Sequence, residues 1–169
     1  MNYFELFEIP IQLSVDQTAL SKKYLELSKL FHPDYFISKS TTQQSEALEK
    51  SAQLNTALRI FKTQETTIKY VLQLKGILEE EEKYELPTSF LMEVLEINEQ
   101  LMDGVDEAQL PNVRLNIETL QKNIYEPVQK IIENYSEAAI TQKELLQLKD
   151  FYFKKKYLHR IEQQLTGLV

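Results

Sequence analysis

The stretch that decides the fold of this chain spans residues 14–36 and reads SVDQTALSKKYLELSKLFHPDYF. Its large apolar side chains recur at the spacing of one helix face and therefore predict an amphipathic helix. They are Leu20, Tyr24, Leu27 and Phe31. Ser14 and Gln17 fit a capping box at the start of this helix. The helix should end near Phe31, because Pro33 disfavours helical backbone in the residue before it.

The sequence on either side of that stretch also predicts helices. Tyr3–Phe7 forms a brief apolar turn ahead of Pro10, and Thr66–Leu74 predicts a short helix. A second capping box, Ser40 to Gln43, opens a longer helix. The inner face of the longer helix would carry Ala47, Leu54, Leu58 and Phe61, and the short helix would bury Ile68, Val71 and Leu72. Two antiparallel helices joined by a loop therefore form the centre of this first module.

The second half of the chain predicts three longer helices. The first runs from Pro87 to Met102 and ends near Gly104. The second begins at Asp106 or Pro111 and continues to Tyr135, with a kink at Pro127, where a helical hydrogen bond is lost. The third opens at a capping box, Thr141 to Glu144, and runs to Leu165, ending before Gly167. Short connections favour antiparallel neighbours, so these helices predict an elongated three-helix bundle.

Charge divides the chain in the same way. The 169 residues carry a net charge of −7, but residues 1–75 hold nine Lys and Arg against eight Asp and Glu. Residues 76–169 hold ten against eighteen. Four consecutive glutamates, residues 79–82, repel one another and favour a solvated linker. The sequence therefore predicts an all-α chain with a helical-hairpin module at 1–75, an acidic linker at 76–86 and a bundle at 87–169.

Composition excludes several classes of function. The chain has three Gly, two His and no Cys, so a P-loop, a dinucleotide fingerprint and a thiolate metal site are all excluded. We expect no cofactor and no metal. An acidic chain without a basic stripe is a poor nucleic-acid binder, and no apolar run approaches the length that spans a membrane. The N-terminal residues carry no secretion signal, which favours a cytoplasmic protein that acts by binding.

The loop between the hairpin helices carries the strongest local motif, His32-Pro33-Asp34. Pro33 stiffens the loop and holds the flanking charged side chains outward. The preceding helix carries three lysines, Lys22, Lys23 and Lys29, for which the alternative interpretation is a solvated helix face. The motif and its helical context resemble the J-domain of the DnaJ superfamily. That resemblance implies binding to a seventy-kilodalton heat-shock-type chaperone ATPase (HscA/DnaK-like), with the motif triggering ATP hydrolysis and the three lysines on the docking helix.

The first bundle helix has more apolar surface than one packing seam needs. Its stripe consists of Phe90, Val94, Ile97 and Leu101. Leu91, Met92 and Leu95 fall well away from that stripe, beside Glu96 and Glu99, which makes them candidates for protein binding. The alternative is that the bundle buries a wide face of this helix. On the last helix, three successive aromatic residues, 151–153, cannot share one seam, and we expect the lysines at 154–156 to be solvated.

Over its full length the chain resembles the HscB family of co-chaperones. The resemblance rests on FLMEVLE at 90–96, YFELF at 3–7 and HPDYF at 32–36. It implies a role in iron–sulfur cluster assembly, in which the bundle binds the cluster scaffold protein (IscU-like) and delivers it to a specialised chaperone. It also implies a set of scaffold contacts, namely Leu91, Met92, Leu95, Glu96, Glu99 and Phe153. Tyr152, beside Phe153, leaves the register on the last helix open.

Two other functions remain open at this point. The same J-domain would serve a co-chaperone for a different client protein. An enzyme with His32 as general base and Asp34 as its orienting acid is the second alternative. We expect residues i and i+2 across a stiff proline to be poorly placed to hydrogen-bond as a dyad, and no nucleophile or glycine-rich loop accompanies them. The sequence therefore favours a protein that is not an enzyme.

Overall fold

A computed structural model describes residues 1–104 and 106–167. Throughout that part of the chain every regular element is helical, which confirms the all-α fold class. The α-helices are α1 (Tyr3–Leu6), α2 (Gln17–Phe31), α3 (Thr41–Phe61), α4 (Gln64–Leu74), α5 (Thr88–Met102), α6 (Leu110–Tyr125), α7 (Gln129–Glu133) and α8 (Gln142–Gly167). A short 3₁₀ helix, Pro33–Phe36, lies between α2 and α3.

Two compact units make up the chain. The first comprises Met1–Val71 with Tyr135–Ala138, and the second comprises Leu72–Asn134 with Ala139–Val169. The predicted boundaries of module, linker and bundle stay a prediction. Within the described residues, no helix combines the length and the apolar character that a membrane crossing needs.

In the first unit, α2 and α3 form the predicted antiparallel hairpin. The side chain of Gln17, at the start of α2, donates to the carbonyl oxygen of Phe61, at the end of α3, over 2.8 Å. Halfway along, the hydroxyl of Tyr24 donates to Oδ1 of Asn55 over 2.7 Å. Phe61 is fully buried, with the ring of Phe4 at 4.7 Å and the ring of Phe7 edge-on at 5.7 Å. This aromatic cluster holds α1 against the hairpin.

Some sequence predictions for the first unit are wrong in detail. The cap of α2 is Asp16, whose side chain accepts the N–H of Ala19 over 2.8 Å, and not Ser14. Gln17 is drawn instead toward the end of α3, so it cannot complete a capping box. Leu58 is half-buried, and Ala57 takes the fully buried position on α3. The Ser40 capping box and the burial of Ile68, Val71 and Leu72 are confirmed.

The second unit is a bundle in which the middle helix is broken. The prediction of one kinked helix to Tyr135 is wrong, because α6 ends at Tyr125 and the separate α7 begins at Gln129. Pro127 has no N–H to continue the helical ladder, and the N–H of Val128 bonds back to the carbonyl of Tyr125 over 3.0 Å. The Thr141 capping box of α8 is confirmed, and α8 continues through Gly167.

The acidic segment after α4 packs in part against α8. Gly76 has φ +67° in the left-handed region, which suits a glycine that ends a helix. Leu78 is buried, and Glu82 pairs with Lys149 of α8 at 2.8 Å between Oε2 and Nζ. Both side chains of this pair are less than one-fifth exposed, at 19% and 15%. A fully solvated linker was therefore the wrong expectation, because α8 offers a cation to the glutamate run.

Candidate functional site

The His32-Pro33-Asp34 motif forms an exposed tip that is closed on itself. The backbone of His32 is extended, which ends α2, and the 3₁₀ helix begins at the very next residue, Pro33. Nδ1 of His32 accepts the N–H of Asp34 at 3.3 Å. In that arrangement Nε2 carries the ring hydrogen and is available to donate to a partner. Proline and this local hydrogen bond together restrict the shape of the tip.

The side chains of His32 and Asp34 lie near each other at the tip. Nδ1 of His32 is 3.5 Å from Oδ2 of Asp34, because the 3₁₀ turn folds residue 34 back toward the ring. No hydrogen bond joins the two side chains, since Nδ1 already accepts the Asp34 N–H, which agrees with the expectation that they are poorly placed to act as a dyad. A neutral ring accepts the Asp34 N–H, and a protonated ring pairs with the carboxylate. Their side chains are 50% and 79% exposed, so both groups are offered to solvent or a partner.

One of the three predicted docking lysines, Lys29, lines a cleft with the tip residues, and Lys22 lines the neighbouring cleft. Lys22 and Lys29 line a cleft of about 550 Å³ on α2, together with Leu25 and Leu30. A second cleft, of about 300 Å³, is lined by Leu25 and Lys29 together with residues of the tip, His32 and Asp34. Lys23 lines neither cleft, and its Nζ lies 2.6 Å from Oε2 of Glu8. The hydrogen bond with Glu8 raises the pKa of Lys23 and turns this lysine toward its own unit.

Two exposed apolar side chains, Leu25 and Tyr35, lie beside the tip, and of these the sequence pointed to Leu25, which interrupts the basic face of α2. Leu25 is 59% exposed and Tyr35 is 65% exposed, and both line the cleft beside His32. Periodicity carried a signal, since Leu25 lies off the apolar stripe of α2 and has no core to enter. We call this area the tip surface, defined by Lys22, Leu25, Lys29, His32, Pro33, Asp34 and Tyr35.

The predicted division of α5 into two faces is present in the structure. Phe90, Val94 and Ile97 are buried, and Leu101 is half-buried. The remaining apolar residues are exposed, at 40% for Leu91, 68% for Met92 and 53% for Leu95. Glu96 and Glu99 are exposed beside them. The bundle therefore does not bury a wide face of α5. We call the five exposed residues the α5 strip, defined by Leu91, Met92, Leu95, Glu96 and Glu99.

Tyr157 of α8 borders the α5 strip. The side-chain nitrogen of Asn98 donates to the hydroxyl of Tyr157 over 2.9 Å, and the Phe90 ring meets the Tyr157 ring edge-on at 6.0 Å. Leu91 lies seven residues before Asn98, so both occupy one side of the helix, with Leu95 between them. The α5 strip is thus bounded on α8 by an aromatic side chain.

Phe153 lies closer to the surface than its two aromatic neighbours. Phe151 and Tyr152 are buried at 5% exposure each, whereas Phe153 is half-buried. The ring of Tyr84, from the acidic segment, stacks on Phe153 with centroids 4.5 Å apart and an interplanar angle of 7°. Nothing in the sequence periodicity connects Tyr84 to α8. Of the two residues left open on α8, Phe153 is the more exposed, and Tyr84 covers one face of its ring.

The hydroxyl of Tyr84 is also held by α8. It donates to Oδ1 of Asp150 over 2.8 Å. Burial, followed by this hydrogen bond and the charge of Asp150, raises the pKa of Tyr84 to about 12. Lys154 completes the group, with its Nζ 2.7 Å from Oδ2 of Asp150 and 5.6 Å from the centroid of the Phe90 ring. The expectation of a solvated lysine run at 154–156 is therefore wrong for Lys154.

A larger cleft of about 700 Å³ opens between α5, α8 and the turn at Pro127. Its walls include Phe90, Ile124 and Phe151, and the Asp150–Lys154 pair lies at its edge. Glu93 and Lys143 also line the cleft, so it carries charges of both signs. The tip surface and the α5 strip remain the candidate functional sites.

Known proteins similar to this chain share one family name. A family model described as the HSCB C-terminal oligomerisation domain matches residues 86–166. A co-chaperone protein HscB homolog of Vibrio cholerae is 33% identical over 172 residues, covering 99% of this chain and 100% of the relative. The mouse iron–sulfur cluster co-chaperone protein HscB is 29% identical over 97% of this chain and 67% of its own length.

Solved structures agree with the sequence relatives. The crystal structure of human co-chaperone protein HscB superposes with a TM-score of 0.80 at 28% identity, covering 98% of this chain and 81% of that chain. The chaperone HscB from Vibrio cholerae superposes with a TM-score of 0.65 at 31% identity, covering 98% and 99%.

Proposed function

Because this chain belongs to the HscB family of co-chaperones, we propose that it binds an iron–sulfur cluster scaffold protein and delivers it to a chaperone ATPase. The scaffold is of the IscU type, and the chaperone is of the HscA or DnaK type. The mouse relative is named an iron–sulfur cluster co-chaperone, which supports the pathway. The names of the relatives also support a protein that performs no chemistry itself.

The observation that carries this proposal is the exposure of Leu91, Met92 and Leu95 on an otherwise well-packed helix. Burying such side chains against a partner contributes roughly 25 cal/mol for each Å² of apolar surface removed from water. Glu96 and Glu99 at the edge favour basic groups on the scaffold and set the register of encounter. Phe153 supplies a further apolar contact from α8.

The tip surface supplies the second activity. His32 and Asp34 hold a donor and a carboxylate at the end of a rigid turn, and Lys22 and Lys29 extend a positive face along α2. The tip binds the ATP-hydrolysing state of the chaperone more tightly than its resting state, and differential binding of this kind shifts the population toward hydrolysis. Lys23 belongs to the fold of the first unit through its pair with Glu8.

Scaffold binding and chaperone binding within one chain explain how the scaffold is delivered to the chaperone. A scaffold held on the α5 strip is tethered near the chaperone, so its effective concentration there rises. Tethering requires no new contact between scaffold and chaperone. A co-chaperone for a different client would share the tip surface, and the α5 strip alone separates that alternative from the proposal.

Single-turnover ATP hydrolysis by the chaperone tests the proposal. The chain is added with and without the scaffold, and the experiment is repeated with His32→Gln. We expect stimulation by the wild type, a further increase with scaffold, and a loss of about tenfold or more for the variant, which is about 1.4 kcal/mol. His159→Gln, which alters an exposed histidine on α8, is the matched control and should behave as the wild type.

Each other outcome removes part of the proposal. Stimulation that ignores the scaffold would favour a different client. Stimulation that survives His32→Gln would remove the tip as the trigger. An absence of stimulation, together with an absence of scaffold binding, would reject the function as a whole.

A further inference from the structure

A basic cleft lies between the acidic segment and the C-terminal half of α8. It encloses about 370 Å³. Its lining residues are Glu82, Lys83, Tyr84, Leu86, Phe153, Lys156, Tyr157 and Arg160. The lining includes three aromatic rings, those of Tyr84, Phe153 and Tyr157, and three cations, Lys83, Lys156 and Arg160. The second unit supplies all of these residues.

The three cations of the basic cleft have no carboxylate partner in the described part of the chain. The ion pairs described on α6 and α8 involve other lysines, namely Lys122, Lys149 and Lys154. The single glutamate of the cleft, Glu82, is already paired with Lys149. Lys156 is half-buried, so part of its side chain packs against the cleft.

The arrangement also brings like charges together. Lys156 and Arg160 lie at i and i+4 on α8, a spacing at which like charges repel and destabilise a helix. Residues 76–169 have eighteen acidic against ten basic residues, so unpaired cations gathered in one place are unusual there. The repulsion is relieved when an anionic group enters the cleft. An apolar floor of Phe153 and Tyr157 favours a peptide over a free inorganic anion.

The basic cleft is continuous with the α5 strip. Tyr157 lines the cleft and also bonds to Asn98, on the side of α5 that carries Leu91 and Leu95. Phe153 lines the cleft as well. One surface therefore runs from acidic residues, Glu96 and Glu99, across apolar side chains to Lys156 and Arg160.

We propose that the basic cleft receives an acidic segment of the scaffold protein, whose carboxylates pair with Lys83, Lys156 and Arg160. An apolar side chain of the same segment packs against Phe153 and Tyr157. Because opposite charges lie at the two ends of the surface, the scaffold can dock in one orientation only. This inference rests on the proposed function, since it names the part of the scaffold that the second unit recognises.

Charge reversal in the full-length protein tests the inference. The dissociation constant for the purified scaffold is measured by calorimetry at low and high salt for the wild type, Arg160→Glu and Arg114→Glu. Arg114 is an exposed arginine on α6, so the control changes the net charge equally within the same unit. We expect Arg160→Glu to raise the Kd about tenfold or more, and Arg114→Glu to stay within about twofold.

Salt and a milder variant sharpen the measurement. Salt should weaken binding more steeply for the wild type and Arg114→Glu than for Arg160→Glu, because an ion pair is lost only in the last. Lys156→Gln should raise the Kd in the same direction by a smaller factor. Arg160 is exposed, so thermal melting of Arg160→Glu should match that of the wild type.

The outcomes separate the inference from the function on which it rests. If the wild type binds the scaffold and both arginine variants behave alike, the basic cleft is not the contact and only this inference fails. A change in chaperone stimulation with unaltered scaffold affinity would assign the cleft to the chaperone and overturn the inference. No binding of scaffold by the wild type would reject the proposed function, and the inference with it.

Discussion

The tip surface and the α5 strip are both exposed, yet different forces hold them in place. The tip is shaped within three residues, by Pro33 and by the bond from the Asp34 N–H to the His32 ring. The α5 strip owes its exposure to what lies behind it, since Phe90, Val94 and Ile97 occupy the core and leave no room for a second face. One surface is made by local geometry and the other by packing.

The difference indicates how each surface responds to substitution. The tip offers few atoms with defined directions, so removing one donor removes its activity without changing much area. The α5 strip offers apolar area, so its affinity declines in proportion to the side chain removed. We therefore expect the two activities to separate cleanly in single variants.

The largest effect should come from the core of the first unit. Phe61→Ala removes the centre of the aromatic cluster with Phe4 and Phe7, and should cost about 3–5 kcal/mol of unfolding free energy. Chaperone stimulation should decline with it, because α2 and α3 carry the tip. Chemical denaturation followed by circular dichroism measures the stability.

A scaffold titration of Phe61→Ala then sharpens the comparison. The Kd should stay within about twofold of the wild type if the α5 strip depends only on its own unit. Phe31→Ala, at a half-buried position on α2, is the milder control. A joint loss of stability and scaffold affinity would show that the two surfaces do not act independently.

A smaller effect is expected on the α5 strip. Leu95→Ala should raise the scaffold Kd about tenfold, about 1.4 kcal/mol, because an exposed apolar anchor is removed. Leu115→Ala on α6 is the matched control, since Leu115 is 57% exposed and lies outside the strip. Calorimetry gives the Kd, and single-turnover hydrolysis without scaffold should be unaltered. Equal loss of both readouts would contradict the division between tip and strip.

The smallest effect concerns the contact that places Phe153. Tyr84→Phe removes the hydroxyl that donates to Asp150, which should cost about 1 kcal/mol near pH 8. Folding raises the pKa of Tyr84 to about 12 from an unfolded value near 10. The stabilisation is therefore complete below pH 10 and is lost as the pH rises toward 12.

Urea denaturation of both proteins over that range provides the measurement. The wild type should lose stability with rising pH more steeply than Tyr84→Phe, so the difference between them should shrink. A difference that stays constant with pH would contradict the raised pKa of Tyr84.

Helix boundaries could be predicted from the sequence wherever the hydrogen bonds that cap a helix come from residues close in sequence. The capping boxes at Ser40 and Thr141 and the buried stripe of α5 are confirmed for that reason. Prediction failed where a distant group intervened. The side chain of Gln17 does not cap its helix but donates a hydrogen bond to the carbonyl oxygen of Phe61, 44 residues away. Pro127 was recognised, but whether it bends or breaks a helix depends on the packing on both sides.

By itself the sequence determined the all-α class, the turn at His32-Pro33-Asp34 and the apolar excess of α5. These features arise from periodicity and backbone chemistry within a few residues. Only the tertiary structure decided that Lys23 forms an ion pair with Glu8 and that the ring of Tyr84 stacks on Phe153. It also placed Lys83 in one cleft with Lys156 and Arg160. Tyr84 and Asp150 are 66 residues apart, and such a pairing depends on how the bundle closes. Periodicity and motifs within a few residues cannot predict a contact between residues so far apart in the sequence.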